Sequence, residues 1–132
     1  MNHPTPSWVQ HIALTPPSLR DNTADADRLL TVLRHRMGAD AVVVDIDLLR
    51  RLPHHLRQWD YQARCVLFSD GFQTFLVDVA DPRSSSACAG LAVDLGTTRV
   101  VARLIDLETT AVLAETSFEN PQTGVGDDIL TR

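Results

Sequence analysis

Between residues 23 and 37, apolar side chains recur at helical spacing. Leu29, Leu33 and Met37 share one face, with Ala26 and Leu30 beside them, and charged residues occupy the rest. The spacing predicts a helix over 23–37, capped by Asn22 or Thr23. Asp25 and Asp27 favour its positive end and Gly38 stops it. Before it, residues 9–14 read as a strand ended by Pro16-Pro17. After it, 41–44 read as a short buried strand, and 45–52 as a short helix that Pro53 interrupts and restarts. Residues 64–68 and 74–79 read as two strands joined through Ser69-Asp70-Gly71. The pattern predicts a β-α-β-α-β-β unit with its helices on one face of the sheet.

A second pattern begins near residue 89. Strands are expected over 90–95, 100–107 and 111–118, in quick succession, as an antiparallel meander. Residues 126–130 read as the first turn of a helix capped by Asp127 or Asp128. The Pro- and Ser-containing stretch 81–88 separates the two patterns and reads as a linker. The fold class expected is therefore α+β, with units at 8–80 and 89–132. There is no internal repeat and no coiled-coil heptad.

Composition narrows the chemistry. The chain has 132 residues, of which 44% are apolar, which fits one ordinary domain or two small units and argues against disorder throughout. No apolar run approaches the roughly 18 residues that span a bilayer. The polar, proline-bearing start lacks the features of a signal peptide, so no membrane association and a cytoplasmic location are expected. A net charge of −5 argues against a nucleic-acid partner. All twelve basic residues are arginine. Without lysine, a Walker P-loop lysine, a Schiff-base lysine and a lysine general base are excluded. Any phosphate must be held by backbone N–H groups, hydroxyls, arginine or metal.

The remaining chemistry-bearing residues have ordinary readings. Cys65 and Cys88 are too few for an iron–sulfur or zinc site. Cys65 reads as a small core residue and Cys88 as a free thiol in the linker, with no disulfide expected. His54 and His55 are adjacent on a helix and diverge, which suits a surface better than a metal. Asp45 and Asp47 read as helix-start charges. Trp8, Trp59 and Phe68 read as core or interface anchors.

The stretch Leu91-Ala92-Val93-Asp94-Leu95-Gly96-Thr97-Thr98-Arg99 stands apart. An apolar strand delivers Asp94 to its end, Gly96 permits a tight turn, and Thr97 and Thr98 offer hydroxyls and N–H groups together. Such a turn can hold phosphate, with Asp94 available to Mg²⁺ directly or through water. The same residues also suit a plain hairpin, since threonine is an ordinary strand former.

Asp94-Leu95-Gly96-Thr97-Thr98 resembles the first phosphate motif of the acetate kinase/sugar kinase/Hsp70/actin (ASKHA) superfamily. The longer stretch Gly90 to Thr98, then Leu104-Ile105-Asp106-Leu107-Glu108-Thr109, Asn120-Pro121-Gln122, Gly126-Asp127-Asp128-Ile129 and Arg132 resembles the opening of the ATPase domain in reductive activators of corrinoid proteins. Pro17-Ser18-Leu19-Arg20-Asp21, Asp27-Arg28-Leu29-Leu30 and Asp47-Leu48-Leu49-Arg50-Arg51-Leu52-Pro53 are similar to what reads as the middle region of that family. The resemblance implies ATP hydrolysis coupled to reduction of Co(II) to Co(I) in a corrinoid protein or corrinoid-dependent methyltransferase, with the electron supplied by a [2Fe–2S] domain. By the same resemblance, Asp94 would serve Mg²⁺ and the nucleotide phosphates, and Gly96, Thr97 and Thr98 would contact the phosphates. Arg99 replaces a small or hydroxyl residue and is expected in solvent.

The departures from the family pattern also carry weight. No four-cysteine motif and no second phosphate motif occur in these 132 residues. The expectation is a fragment of such an activator that does not bind or hydrolyse ATP by itself. Two other classes remain alongside: a piece of another ASKHA kinase, and a non-catalytic α+β interaction module.

Overall fold

Register organises the first unit. In the computed structural model, which describes residues 8–124, β1 (Val9–Ala13) pairs antiparallel with β3 (Gln62–Ser69), and β3 antiparallel with β4 (Thr74–Ala80). The short β2 (Val42–Val44) lies parallel to β4, giving the order β1-β3-β4-β2. Strand alternation puts Ile12, Ala63, Cys65, Leu67 and Leu76 on one face. Those residues join Leu29 and Leu33 of α1 (Asp25–Met37) and Leu48, Leu52 and Leu56 of α2 (Ile46–Gln58) in one buried cluster. Both helices thus cover the same sheet face, as the pattern predicts. The order β1-α1-β2-α2-β3-β4 is also the one expected.

Two local expectations change. The cap of α1 is Ala24, with no side-chain bond. The Thr23 hydroxyl donates instead to Asp21 at 2.7 Å, and Asp21 also takes the Thr23 N–H and the Arg28 guanidinium. Pro53 does not interrupt α2, which is one continuous helix of 13 residues. Leu48, Leu52 and Leu56 recur every four residues and are all buried, so packing along the whole length outweighs the bond that Pro53 removes. Asp45 caps α2 by accepting the Asp47 N–H at 2.8 Å, and Gly38 ends α1 in the left-handed region at φ 61°. The Arg57–Asp25 ion pair, at 3.0 Å, brings the end of α2 to the start of α1.

The anchors and thiols also find their places. Trp59 is buried in the cluster, with His55 stacked on it at 4.7 Å, whereas Trp8 and Phe68 stack at 5.6 Å on the opposite sheet face. Burial pushes the Cys65 thiol up to about 12, which makes it inert at neutral pH. No group of histidine, cysteine or acidic side chains suited to a metal occurs among the described residues, and none of their helices is long and apolar enough to cross a membrane.

The chain divides into two compact units between Ser86 and Ala87. The second is a three-stranded antiparallel meander in the order β5 (Ala89–Leu95), β6 (Arg99–Asp106), β7 (Val112–Glu119), followed by a short 3-10 turn over Pro121–Gly124. Asp106 makes the β6–β7 turn by accepting the N–H groups of Glu108 and Thr109. The helix expected over 126–130, and Arg132, lie outside the described residues. The fold class is α+β, a four-stranded unit followed by the meander.

Candidate phosphate-binding hairpin

The β5–β6 hairpin is fixed by its register. Leu95 pairs with Val100, so Gly96, Thr97, Thr98 and the start of β6 make the reversal. A Cβ on Gly96 would lie 2.5 Å from the Arg99 carbonyl oxygen. The chain closes on itself there more tightly than any side chain permits, which is the physical reason for glycine. From the far strand, Asn120 fastens the turn. Its side-chain amide donates to the Gly96 carbonyl at 2.9 Å, and its backbone N–H donates to the Thr98 carbonyl at 2.8 Å.

Period-two alternation separates the expected site residues. Leu95, Val100 and Phe118 lie on the apolar face of the meander with Leu91, Val93 and Leu104. At its turn end, a groove of about 510 Å³ is lined by those first three residues with Gly96, Thr97, Asn120, Pro121 and Gln122. Asp94 lies on the other face, in a row with Val101 and Ser117, next to the row of Arg103 and Glu115. Arg103 pairs with Glu115, and this pairing first, and the Asp94 charge more weakly, raise the arginine above its ordinary value. Thr98 is exposed but does not line the groove, and Arg99 is exposed opposite Glu119.

The structure therefore brings Gly96 and Thr97 together in one groove and leaves Asp94 and Thr98 outside it. Asn120 is a site residue that its place in the sequence does not announce, although it stands in a stretch that carries the resemblance. Its signal is an asparagine one residue past a strand that ends level with the turn. Arg103 and Glu115 were also passed over, and opposite charges facing each other across β6 and β7 are their signal.

At the turn, the space beside Gly96 is taken by the Arg99 carbonyl oxygen, and the exposed Thr97 follows it with a hydroxyl. At the adjoining strand end Asp94 presents an exposed carboxylate. An iron–sulfur cluster does not fit, because the two cysteines, one of them buried, cannot supply its ligands.

The family model of the RACo linker region matches residues 4–85, and that of the RACo middle region matches residues 89–132. The chain belongs to the RACo family. The unit expected to resemble the family's middle region matches the RACo linker region instead, and the meander, expected as the start of the ATPase domain, matches the RACo middle region. A solved structure titled "Reductive activator for corrinoid,iron-sulfur protein" superposes with a TM-score of 0.79 at 25% identity over 99% of this chain. This chain spans 21% of the chain in that structure. No curated protein matches the chain.

Proposed function

We propose that this RACo chain contributes the first phosphate-contacting hairpin of an ATPase of the ASKHA type, in which hydrolysis is coupled to reduction of Co(II) to Co(I) in a corrinoid partner. The observation that carries the reading is the Gly96 turn, closed against the Arg99 carbonyl and pinned by Asn120. Membership of the RACo family supports the corrinoid partner, as a corrinoid protein or a corrinoid-dependent methyltransferase.

In this reading the Gly96 and Thr97 N–H groups and the Thr97 hydroxyl meet phosphate oxygens, with Thr98 as a further donor at the edge. Asp94 holds Mg²⁺ through water, from the adjoining face. Mg-ATP supplies the free energy of the uphill step, and the residues of this chain hold and orient its phosphates. All the lining residues of the groove come from the turn end of the meander, and the 132-residue chain alone binds Mg-ATP too weakly to measure. Residues 8–80, 81–88 and 89–132 then act as linker-region domain, connector and ATPase segment.

Two measurements test this. Titration calorimetry of Mg-ATP into the chain gives no measurable heat, and low-micromolar binding would show a self-sufficient site. In a RACo protein that contains these residues along with its cluster-bearing and nucleotide-closing parts, Thr97→Ala and Asp94→Asn each slow ATP-dependent Co(I) formation at least about tenfold. Unchanged rates would overturn the assignment.

A further inference from the structure

The outer face of the first sheet, opposite the helices, is closed on one half and open on the other. At Val9 and Arg64 it is buried, and Arg64 Nη1 donates to the Ser84 carbonyl at 3.4 Å. Across β3, β4 and β2 the register instead lines up Phe68, Phe75 and Val43 in one outward row. Phe68 and Val43 are exposed, and Trp8 stacks on Phe68. Val77 and Ile46 extend the apolar surface, and Phe72 at the hairpin tip is 96% exposed.

Two depressions share Val43. One of about 630 Å³ has Ile46, Phe75 and Val77 for its apolar floor, with Asp45 and Asp70 among its lining residues. The other, about 420 Å³, runs under Phe72 and includes Asp40. No basic residue lines either one. Asp70 accepts the Gln73 and Phe72 N–H groups, each at 2.8 Å, and the Gln73 bond first, then that from Phe72, holds its carboxyl below the usual carboxylate range. At the side of this surface, β2 is the edge of the sheet and bonds to no described strand beyond β4. An apolar floor, an acidic rim and an open strand edge in one place are complementary to a segment of defined chemistry.

We propose that this half-face docks a basic polypeptide segment with apolar anchors, which adds as an extended strand to the open edge of β2. Its apolar side chains fill the depressions around Val43 and Phe75, and its arginines or lysines meet Asp40, Asp45 and Asp70. This surface belongs to the linker-region unit and stands independently of the nucleotide reading.

The test uses the 132-residue chain and fluorescein-labelled ten-residue peptides, read by anisotropy. One alternates Arg and Val, a second replaces Arg by Glu, and a third places a proline at the centre of the Arg-Val sequence. The Arg-Val peptide binds in the micromolar range, weakening as salt rises, and the Glu-Val peptide binds at least about tenfold more weakly. The proline peptide binds at least about fivefold more weakly, because it breaks the ladder of backbone bonds. The double variant Asp45→Asn/Asp70→Asn keeps both cap acceptors while removing the charges, and weakens the Arg-Val peptide at least about fivefold. Val43→Lys weakens it as much. Equal binding of the Arg-Val and Glu-Val peptides, or no change in the double variant, would overturn the proposal. So would a dimer in sedimentation that Val43→Lys abolishes, since the occupant would then be a second copy.

Discussion

The Asn120 side-chain amide donates to the Gly96 carbonyl at 2.9 Å, joining the end of β7 to a turn 24 residues earlier. The bond is partly buried, and the backbone N–H of the same residue holds Thr98. Asn120→Ala removes the side-chain bond and keeps the backbone one. The expected cost is about 1 kcal/mol in denaturant unfolding of the meander. Hydrogen exchange gives the sharper readout. The amides of Thr97 to Arg99 exchange faster in the variant, while those at the centre of β6 do not. Uniform acceleration along β6 would mean that Asn120 stabilises the sheet at large and does not specifically order the turn.

Two glycines of the meander separate steric need from sequence habit. A Cβ on Gly96 meets a backbone oxygen at 2.5 Å, whereas a Cβ on Gly90 meets the Leu107 side chain at 2.9 Å. Backbone cannot step aside without opening the hairpin, but a leucine terminus can rotate. Gly96→Ala therefore costs about 1–3 kcal/mol, and Gly90→Ala less than about 1 kcal/mol. Urea unfolding of both variants checks the order. Equal losses would remove the steric explanation for Gly96.

Much of this architecture is legible because local rules govern it. Gly38 stops α1 by its backbone freedom, and Asp70 shapes the β3–β4 turn with its own carboxylate. Leu91, Val93 and Leu95 show the alternation of β5. Other features depend on competition between side chains or on residues of another strand. Ala24 caps α1 because Asp21 has engaged the Thr23 hydroxyl. Strand alternation turns Asp94 to the face that carries Arg103 on β6. That neighbour lies on a different strand, which a reading of consecutive residues does not reach. Asn120 likewise meets Gly96 across 24 residues of chain.

Pro53 offers a prediction of opposite sign to most substitutions. It sits inside α2, where it leaves the Leu49 carbonyl without its helical N–H partner, yet Leu52 beside it is fully buried. Pro53→Ala restores the bond and stabilises the first unit by about 1–2 kcal/mol, the gain being trimmed by the greater freedom of the unfolded chain. Leu52→Ala, one residue away, empties a buried site and costs about 2–5 kcal/mol. Thermal melts of the two variants should move in opposite directions. A lower melting point for Pro53→Ala would show that proline shapes α2 in a way the packing requires.

Asp21 supplies a pH-dependent term. It accepts the Arg28 guanidinium at 2.6 Å together with the Thr23 hydroxyl and N–H. The Arg28 bond first, then those from Thr23, hold its carboxyl far below the usual range. A carboxyl depressed in the folded state stabilises fully above its unfolded value of about 4, and that stabilisation is lost as pH falls through the folded value. Asp21→Asn keeps an acceptor for Thr23 but removes the charge facing Arg28. At pH 7 the variant melts below the parent, and from about pH 4 downward the two melting points converge. The loop before α1 carries the effect, so exchange at Thr23 and Ala24 rises in the variant at neutral pH. A gap between the melting points that stays constant from pH 7 to pH 2 would show that the neutral hydrogen bonds, and not the charge, hold this loop.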